Sequence, residues 1–282
     1  MITIMKYLLL LLLTIFAVDC HSQRLQLKKR AANALSGSEF SKSIRDSSLS
    51  LEKREEIIFN EIQSGNIPRF YRKLALVRDT AMIMGQLQTI RYYVLPDYLA
   101  IGSDSDYFYC PMRPQLAQKV ADLLDCSLPT RKISDRIYHS AKVKMMPQPI
   151  PPSKAMITVP VFERHTRMVQ QQREQSIRQY PLGSLVAGNK KDVVISNMIF
   201  NSKNQLRVVI YGWHKPDGKA IQPLHNGHTT DHVDYSHGIR LIQNKLWING
   251  KKSTLRAVLG SETLHPLLGD ERAIGKAYYP VE

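Results

Sequence analysis

Four prolines within the eight residues Met146 to Ser153 (MPQPIPPS) partition this chain. Proline fixes φ and lacks the N–H that a helix interior or a central strand requires, so no regular element crosses this stretch. It reads as a stiff, extended connector between two differently patterned parts. Before it, Leu51 to Ser64 carries Ile57, Ile58 and Ile62 on one side and stops at Gly65 and Pro68, which predicts a helix. Phe70 to Met84 holds no breaker and reads as a second helix up to Gly85. Thr89 to Leu95 and Tyr98 to Ile101 read as short strands around Pro96–Asp97, closed by a polar turn over Gly102 to Asp106. Pro114 opens a helix over Gln115 to Leu124, and a further helix runs from Arg131 to about Val143.

After the connector the signals turn toward strands. Met156 to Phe162 reads as a short strand and Glu163 to Gln179 as a polar helix. Asp192 to Phe200 and Leu206 to Trp213 are β-branched runs that compose a hairpin. Ile239 to Gln243 with Lys245 to Ile248 forms another pair, Asn249–Gly250 marks a turn, and Thr254 to Leu268 returns to helix. The expected fold is α+β, with N-terminal helices followed by an antiparallel, β-rich C-terminal half. The expected organisation is a helical part over 51–145, the connector over 146–153 and a β-rich part over 154–282, with 51–282 as one folded unit. At 43% hydrophobic residues the 282-residue chain can bury a full core, which excludes a disordered protein.

The N-terminus predicts the compartment. Lys6 precedes an apolar run from Tyr7 to Val18, followed by the small or polar residues Cys20, His21 and Ser22. That is the order of a secretory signal peptide over 1–22, too short for a comfortable membrane span, and its removal leaves no membrane anchor. A lipid-modified Cys20 is the alternative, disfavoured by Asp19. The basic, serine-rich residues 23–50 read as a flexible leader. Export places the mature chain in an oxidising compartment, where Cys110 and Cys126 read either as a disulfide or as two buried thiols. The formal charge of +15 implies attraction to an anionic polymer or glycan. No nucleic-acid motif is present, so nucleic acid is not the expected partner. The sequence does not fix the oligomeric state.

Chemistry concentrates between Tyr211 and Arg240 (YGWHKPDGKAIQPLHNGHTTDHVDYSHGIR), which holds five of the nine histidines. His214, His228, Asp234 and His237 are the candidate catalytic residues; His214, His228, His232 and His237 are the candidate metal ligands, with zinc as the expected ion. His228 and His232 have the four-residue spacing of a helical zinc site but lack the glutamate of HExxH. Trp213, Tyr235, Arg240 and Lys191 are the candidate substrate contacts. Strand alternation puts Asp234 and His237 on opposite faces, so they meet only if the chain bends there. Three other mechanisms fit the residue types. A thiol hydrolase would use Cys126, or Ser236 in its place, with a histidine base. A metal-free acid–base site would pair a histidine with Asp231 or Asp234, and a non-catalytic glycan-binding module would use the aromatic and basic residues.

Lys190-Lys191-Asp192-Val193-Val194, Tyr211-Gly212-Trp213-His214, Ile221-Gln222-Pro223-Leu224 and Asp234-Tyr235-Ser236-His237-Gly238 together resemble a family of uncharacterised secreted bacterial proteins. The resemblance extends to Pro96-Asp97-Tyr98-Leu99, Gly102-Ser103-Asp104 and Leu128-Pro129-Thr130, and implies no particular activity. Ser236-His237-Gly238-Ile239-Arg240 is similar to the SHGCIR signature of LD-transpeptidases, which remodel peptidoglycan. The nucleophilic cysteine of that signature is absent here, which rules out transpeptidation through it. The function expected from these readings is a secreted hydrolase acting on an envelope or extracellular polymer, peptidoglycan foremost.

Overall fold

Local capping sets the N-terminal helices. The Ser36 hydroxyl accepts from the Glu39 N–H while the Glu39 carboxylate accepts from the Ser36 N–H, a capping box that starts α1 (Gly37–Ser43). Ser50 caps α2 (Leu51–Ser64), which ends at Gly65 with φ of 92°, a conformation that favours glycine. The computed structural model describes residues 23–200 and 202–281; the expected signal peptide and Cys20 lie outside them. α1 falls within the stretch expected to be a flexible leader. Phe40 and Ile44, at 0% and 1% exposure, bind it to the core instead, so a few well-placed apolar residues suffice to order a polar segment.

The chain continues through β1 (Ala75–Ile83), β2 (Gln86–Val94), β3 (Ala100–Gly102), β4 (Tyr107–Tyr109), α3 (Pro114–Leu123), β5 (Cys126–Ser127), α4 (Arg131–Ser140) and β6 (Val143–Lys144). Beyond the connector come α5 (Val159–Glu174), β7 (Val186–Ala187), β8 (Lys191–Val193), β9 (Arg207–His214), β10 (Ala220–Thr229) and β11 (His237–Gly238). β12 (Ile242–Gln243), β13 (Lys245–Ile248), β14 (Lys251–Thr254) and α6 (Leu255–Leu259) complete the α+β fold. One sheet runs β14-β13-β2-β12-β5 with β1 on β2, and a second runs β10-β9-β8-β11, where β11 lies parallel to β8. A single buried core draws on residues from both sides of the connector, from Leu25 to Tyr279. Among the described residues no helix is long and apolar enough to cross a membrane.

Several elements differ from expectation for identifiable reasons. Phe70 to Met84 contains strand β1, not a helix, because all nine of its residues pair with β2 across a two-residue turn at Met84 (φ 48°) and Gly85 (φ 76°). Both turn residues have positive φ, as the favoured tight hairpin turn requires. The strand expected over Met156 to Phe162 is instead a short 3-10 turn followed by α5, whose first turn accommodates Pro160. Asp192 to Phe200 is extended only to Val193; β8 and β9 do pair antiparallel, across a long loop. β12 and β13 do not pair with each other, since each bonds to β2. Asn249 and Gly250 do form a turn, joining β13 to β14. Thr254 caps a helix of only five residues, α6.

Cys110 and Cys126 are free and buried, not a disulfide. Burial pushes both thiols far above their usual range, so neither is a thiolate at neutral pH. The Cys126 thiol donates to the Leu124 carbonyl, and among the described residues no histidine is hydrogen-bonded to it, so the thiol–imidazole pair a thiol hydrolase uses is not formed there. Alkylation with iodoacetamide should leave both cysteines untouched in the native protein and label both after denaturation without reductant. Peptide mapping that found them linked would contradict the fold at this point.

Candidate metal centre

The second sheet positions the histidines. β10 turns back on β9 at Lys215 to Lys219 and pairs with it irregularly, with bulges between Gln222 and His225 and between His225 and His228, and its end presents His225 and His228 to solvent. The chain then crosses to β11 through Thr230 to Ser236. Arg113, held by Glu55 at 2.8 Å, also bonds Asp231 at 3.1 Å and ties this crossing to α2. Asp234 to His237 is a turn closed by the His237 N–H on the Asp234 carbonyl at 3.1 Å. That turn is the bend that an alternating strand could not supply, and it puts Asp234 and His237 on one side.

Three ligand atoms converge there. His232 Nε2 lies 3.6 Å and His237 Nε2 3.8 Å from Asp234 Oδ2. All three lie within 4.8 Å of one another, and together they could hold a metal ion. The edge of a tetrahedral shell with bonds of about 2.0–2.2 Å is about 3.3–3.5 Å, so both carboxylate distances need only a few tenths of an ångström of adjustment. Asp234 Oδ1 is already engaged by the Ser236 N–H at 2.7 Å and by the Ser236 hydroxyl, which turns Oδ2 toward the imidazoles. His237 is 1% exposed and neither of its ring nitrogens has a hydrogen-bond partner. Two orphaned buried nitrogens are costly unless a ligand takes one of them, so the donor set fits a divalent metal.

The electrostatics keep these groups in ligand form. Burial lowers the pKa of His237 to about 4, only partly offset by Asp234, so its imidazole is neutral at pH 7. Burial alone would raise the Asp234 pKa. The charge that His237 carries when protonated, hydrogen bonding from His232 and Ser236, and Lys191 outweigh burial and hold Asp234 as a carboxylate. His228 stacks on His232 with centroids 4.0 Å apart, and burial together with the charges of His232 and His225 lowers its pKa. Face-to-face stacking aims the His228 ring across its neighbour, which makes it a wall of the site.

His214 lies in a different cluster. Its Nε2 is 2.8 Å from Asp135 Oδ1 on α4, Tyr211 donates to the same oxygen at 2.7 Å, and Tyr138 stacks on the ring at 4.5 Å. No signal in the sequence links Asp135 to a histidine 79 residues later. β9 reaches His214 through Gly212 (φ 104°) and Trp213 (φ 58°); a bulky residue at positive φ is strained, and such strain gathers near functional sites.

The expected substrate contacts are mostly internal. Trp213, Tyr235 and Arg240 are 5%, 2% and 0% exposed, so none offers a surface to a polymer. Lys191 alone of the four is half-buried, with its ammonium 5.2 Å above the Trp213 ring and its charge acting on Asp234. Lys190, fully buried, donates to the Tyr235 carbonyl at 2.6 Å, and burial lowers its pKa to about 7.

His165 carries no sequence signal, yet it packs 4.9 Å from Tyr235 and 6.2 Å from Trp213, fully buried and with neither nitrogen hydrogen-bonded. Burial, with the charge of Lys190, lowers its pKa to about 2. A folded pKa below the unfolded value of about 6.5 means stability is complete above pH 6.5 and falls as pH drops toward the folded pKa. His165 should therefore cost about 2 kcal/mol of stability at pH 5 relative to pH 7.5. Urea unfolding of His165→Leu at both pH values should show that difference reduced; an unchanged difference would place the acid sensitivity elsewhere.

Comparison with known proteins yields no match: no family model, no curated protein and no solved structure is significantly similar to this chain.

Proposed function

We propose that the protein is an exported, metal-dependent hydrolase of an envelope or extracellular polymer, with zinc as the metal and peptidoglycan as the first substrate to test. The observation that carries this reading is the pair of unpartnered nitrogens on fully buried His237, beside the Asp234 carboxylate and His232. Two imidazoles and one carboxylate leave a coordination position open, as catalytic zinc sites do. When bound, the ion supplies Lewis acidity toward a carbonyl or phosphoryl oxygen. The chain's own residues divide the remaining work. Ser236 orients Asp234, and Lys191 brings positive charge beside the carboxylate. His228, neutral near pH 7 and open to solvent, can accept a proton at a ring nitrogen. The apolar run at Tyr7 to Val18 supports export, and the +15 charge supports an anionic polymer.

The test is digestion of purified peptidoglycan and of its soluble fragments by the full-length protein, with new amines and reducing ends measured before and after chelation. The reading requires release that stops on chelation and returns with zinc. Release indifferent to chelation, or absent from peptidoglycan and other envelope polymers alike, would overturn it.

A further inference from the structure

The three most exposed large apolar side chains among the described residues are Met84 at 87%, Met82 at 62% and Leu87 at 61%, and all sit at the tip of the β1–β2 hairpin. Met82 and Leu87 face each other across the ribbon. Four residues further along each strand, on the same face, Arg78 stands opposite Arg91, at about 13 Å for a strand rise of 3.3 Å per residue. The row continues across the sheet, with Arg91 opposite Trp247 and Trp247 opposite Lys252. Lys245, two residues from Trp247, lies on the same face. Asp79 is the single carboxylate of these four strands; it alternates to the other face and bonds Arg136 at 2.7 Å. Arg91 stacks over Trp247 at 4.7 Å, and its Nε is buried without a partner. A cleft of about 550 Å³ opens beside the row, lined by Arg78, Asp79, Thr80, Thr89, Arg91 and Trp247 among others.

We propose that this face docks the protein on an anionic phospholipid surface, the Met82–Met84–Leu87 tip entering the acyl boundary and the Arg78–Arg91–Lys252 row meeting the headgroup phosphates. The spacing suits a bilayer, since an interfacial element buries its apolar part about 5–10 Å deep and leaves its cations at headgroup level; Trp247, 9% exposed, is the buried platform on which Arg91 stacks. A soluble polyanion would use the cations but gain nothing from three exposed apolar side chains at the tip. The charge of the face complements anionic lipid, and each basic residue near such a surface strengthens binding about 5-fold. This inference is independent of the metal centre.

The test is co-sedimentation of the full chain with vesicles of phosphatidylcholine, alone or mixed with phosphatidylglycerol. Binding should require the anionic lipid and weaken about 5-fold in each of Arg78→Gln and Lys252→Gln. Met84→Asp, a residue tolerated at positive φ, should weaken it about 10-fold or more. In Met84→Trp, tryptophan emission should shift to the blue on adding anionic vesicles. Trp213 and Trp247 supply a background that the parent protein measures alone, so the difference spectrum reports the tip, and a bound protein whose difference spectrum does not shift is attached through another segment and overturns the proposal. Equal binding by Met84→Asp would overturn it as well. So would dextran sulfate binding without vesicle binding, or a self-association that Met84→Asp abolishes while vesicle binding is absent.

Discussion

His237→Ala should abolish metal binding and hydrolysis while leaving the melting temperature of the metal-free protein nearly unchanged. The two effects separate because the imidazole sits in the core without hydrogen bonds. Removing the imidazole takes away one of three converging donors, which should cost at least about 100-fold in affinity, beyond the 10–100-fold typical of losing an outer partner. It also removes two unpartnered buried nitrogens, each carrying a desolvation penalty of about 1–3 kcal/mol, and this offsets the cavity left behind. His214→Ala is the contrasting variant. It breaks the 2.8 Å contact with Asp135 and the stack on Tyr138, so it should lower stability and leave metal affinity intact. Metal content and calorimetric melting curves on both variants decide the matter. Metal lost in His214→Ala and kept in His237→Ala would reverse the assignment.

The largest loss of stability is expected at Arg240. Its guanidinium is fully buried and donates to the Leu95 carbonyl at 2.9 Å and the Val186 carbonyl at 2.7 Å. It stacks over the Tyr98 ring at 4.1 Å, and its charge is balanced by Asp192 and Asp97. Those contacts join the β2 end, β7 and the segment after β11, so one side chain ties together three segments distant in sequence. Arg240→Ala would orphan two carbonyls and leave Asp192, already raised to about 6 by burial, without its main counter-charge. Breaking one side of a buried pair costs about 3–5 kcal/mol. At about 2–4 °C per kcal/mol that is a fall in Tm of roughly 10 °C. Arg240→Lys should recover little of it, because one ammonium cannot bridge both carbonyls in the guanidinium plane. A fall of only a degree or two would mean that the network is not what ties these segments together.

The same residues explain what the sequence could and could not reveal. α2 was legible because its signals are local: Ser50 before it, isoleucines along one side, Gly65 after it. β1 was not, because its strand character comes from nine pairings with β2, and freedom from breakers is equally compatible with a helix. The histidine stretch stood out by density, but its partition depends on two things invisible in spacing. The Asp234–His237 turn makes one pair, and α4 delivers Asp135 to His214 to make another. Trp213, Tyr235 and Arg240 look like recognition residues in a string of letters, yet all three are buried, the two aromatic rings as packing and Arg240 as a donor to the Leu95 and Val186 carbonyls. His165 emerged only from burial, since an isolated histidine carries no pattern, and the run beginning Lys190-Lys191 gave no sign that the Lys190 ammonium is fully buried.

The measurement that tests the metal centre most directly is elemental analysis of full-length protein purified without a histidine tag, alongside His237→Ala, Asp234→Asn and His214→Ala. The account predicts about one equivalent of a divalent transition metal in the wild type and in His214→Ala, and essentially none in the other two. A wild type that holds no metal after equilibration with zinc, or a His237→Ala variant that keeps the full equivalent, would contradict it.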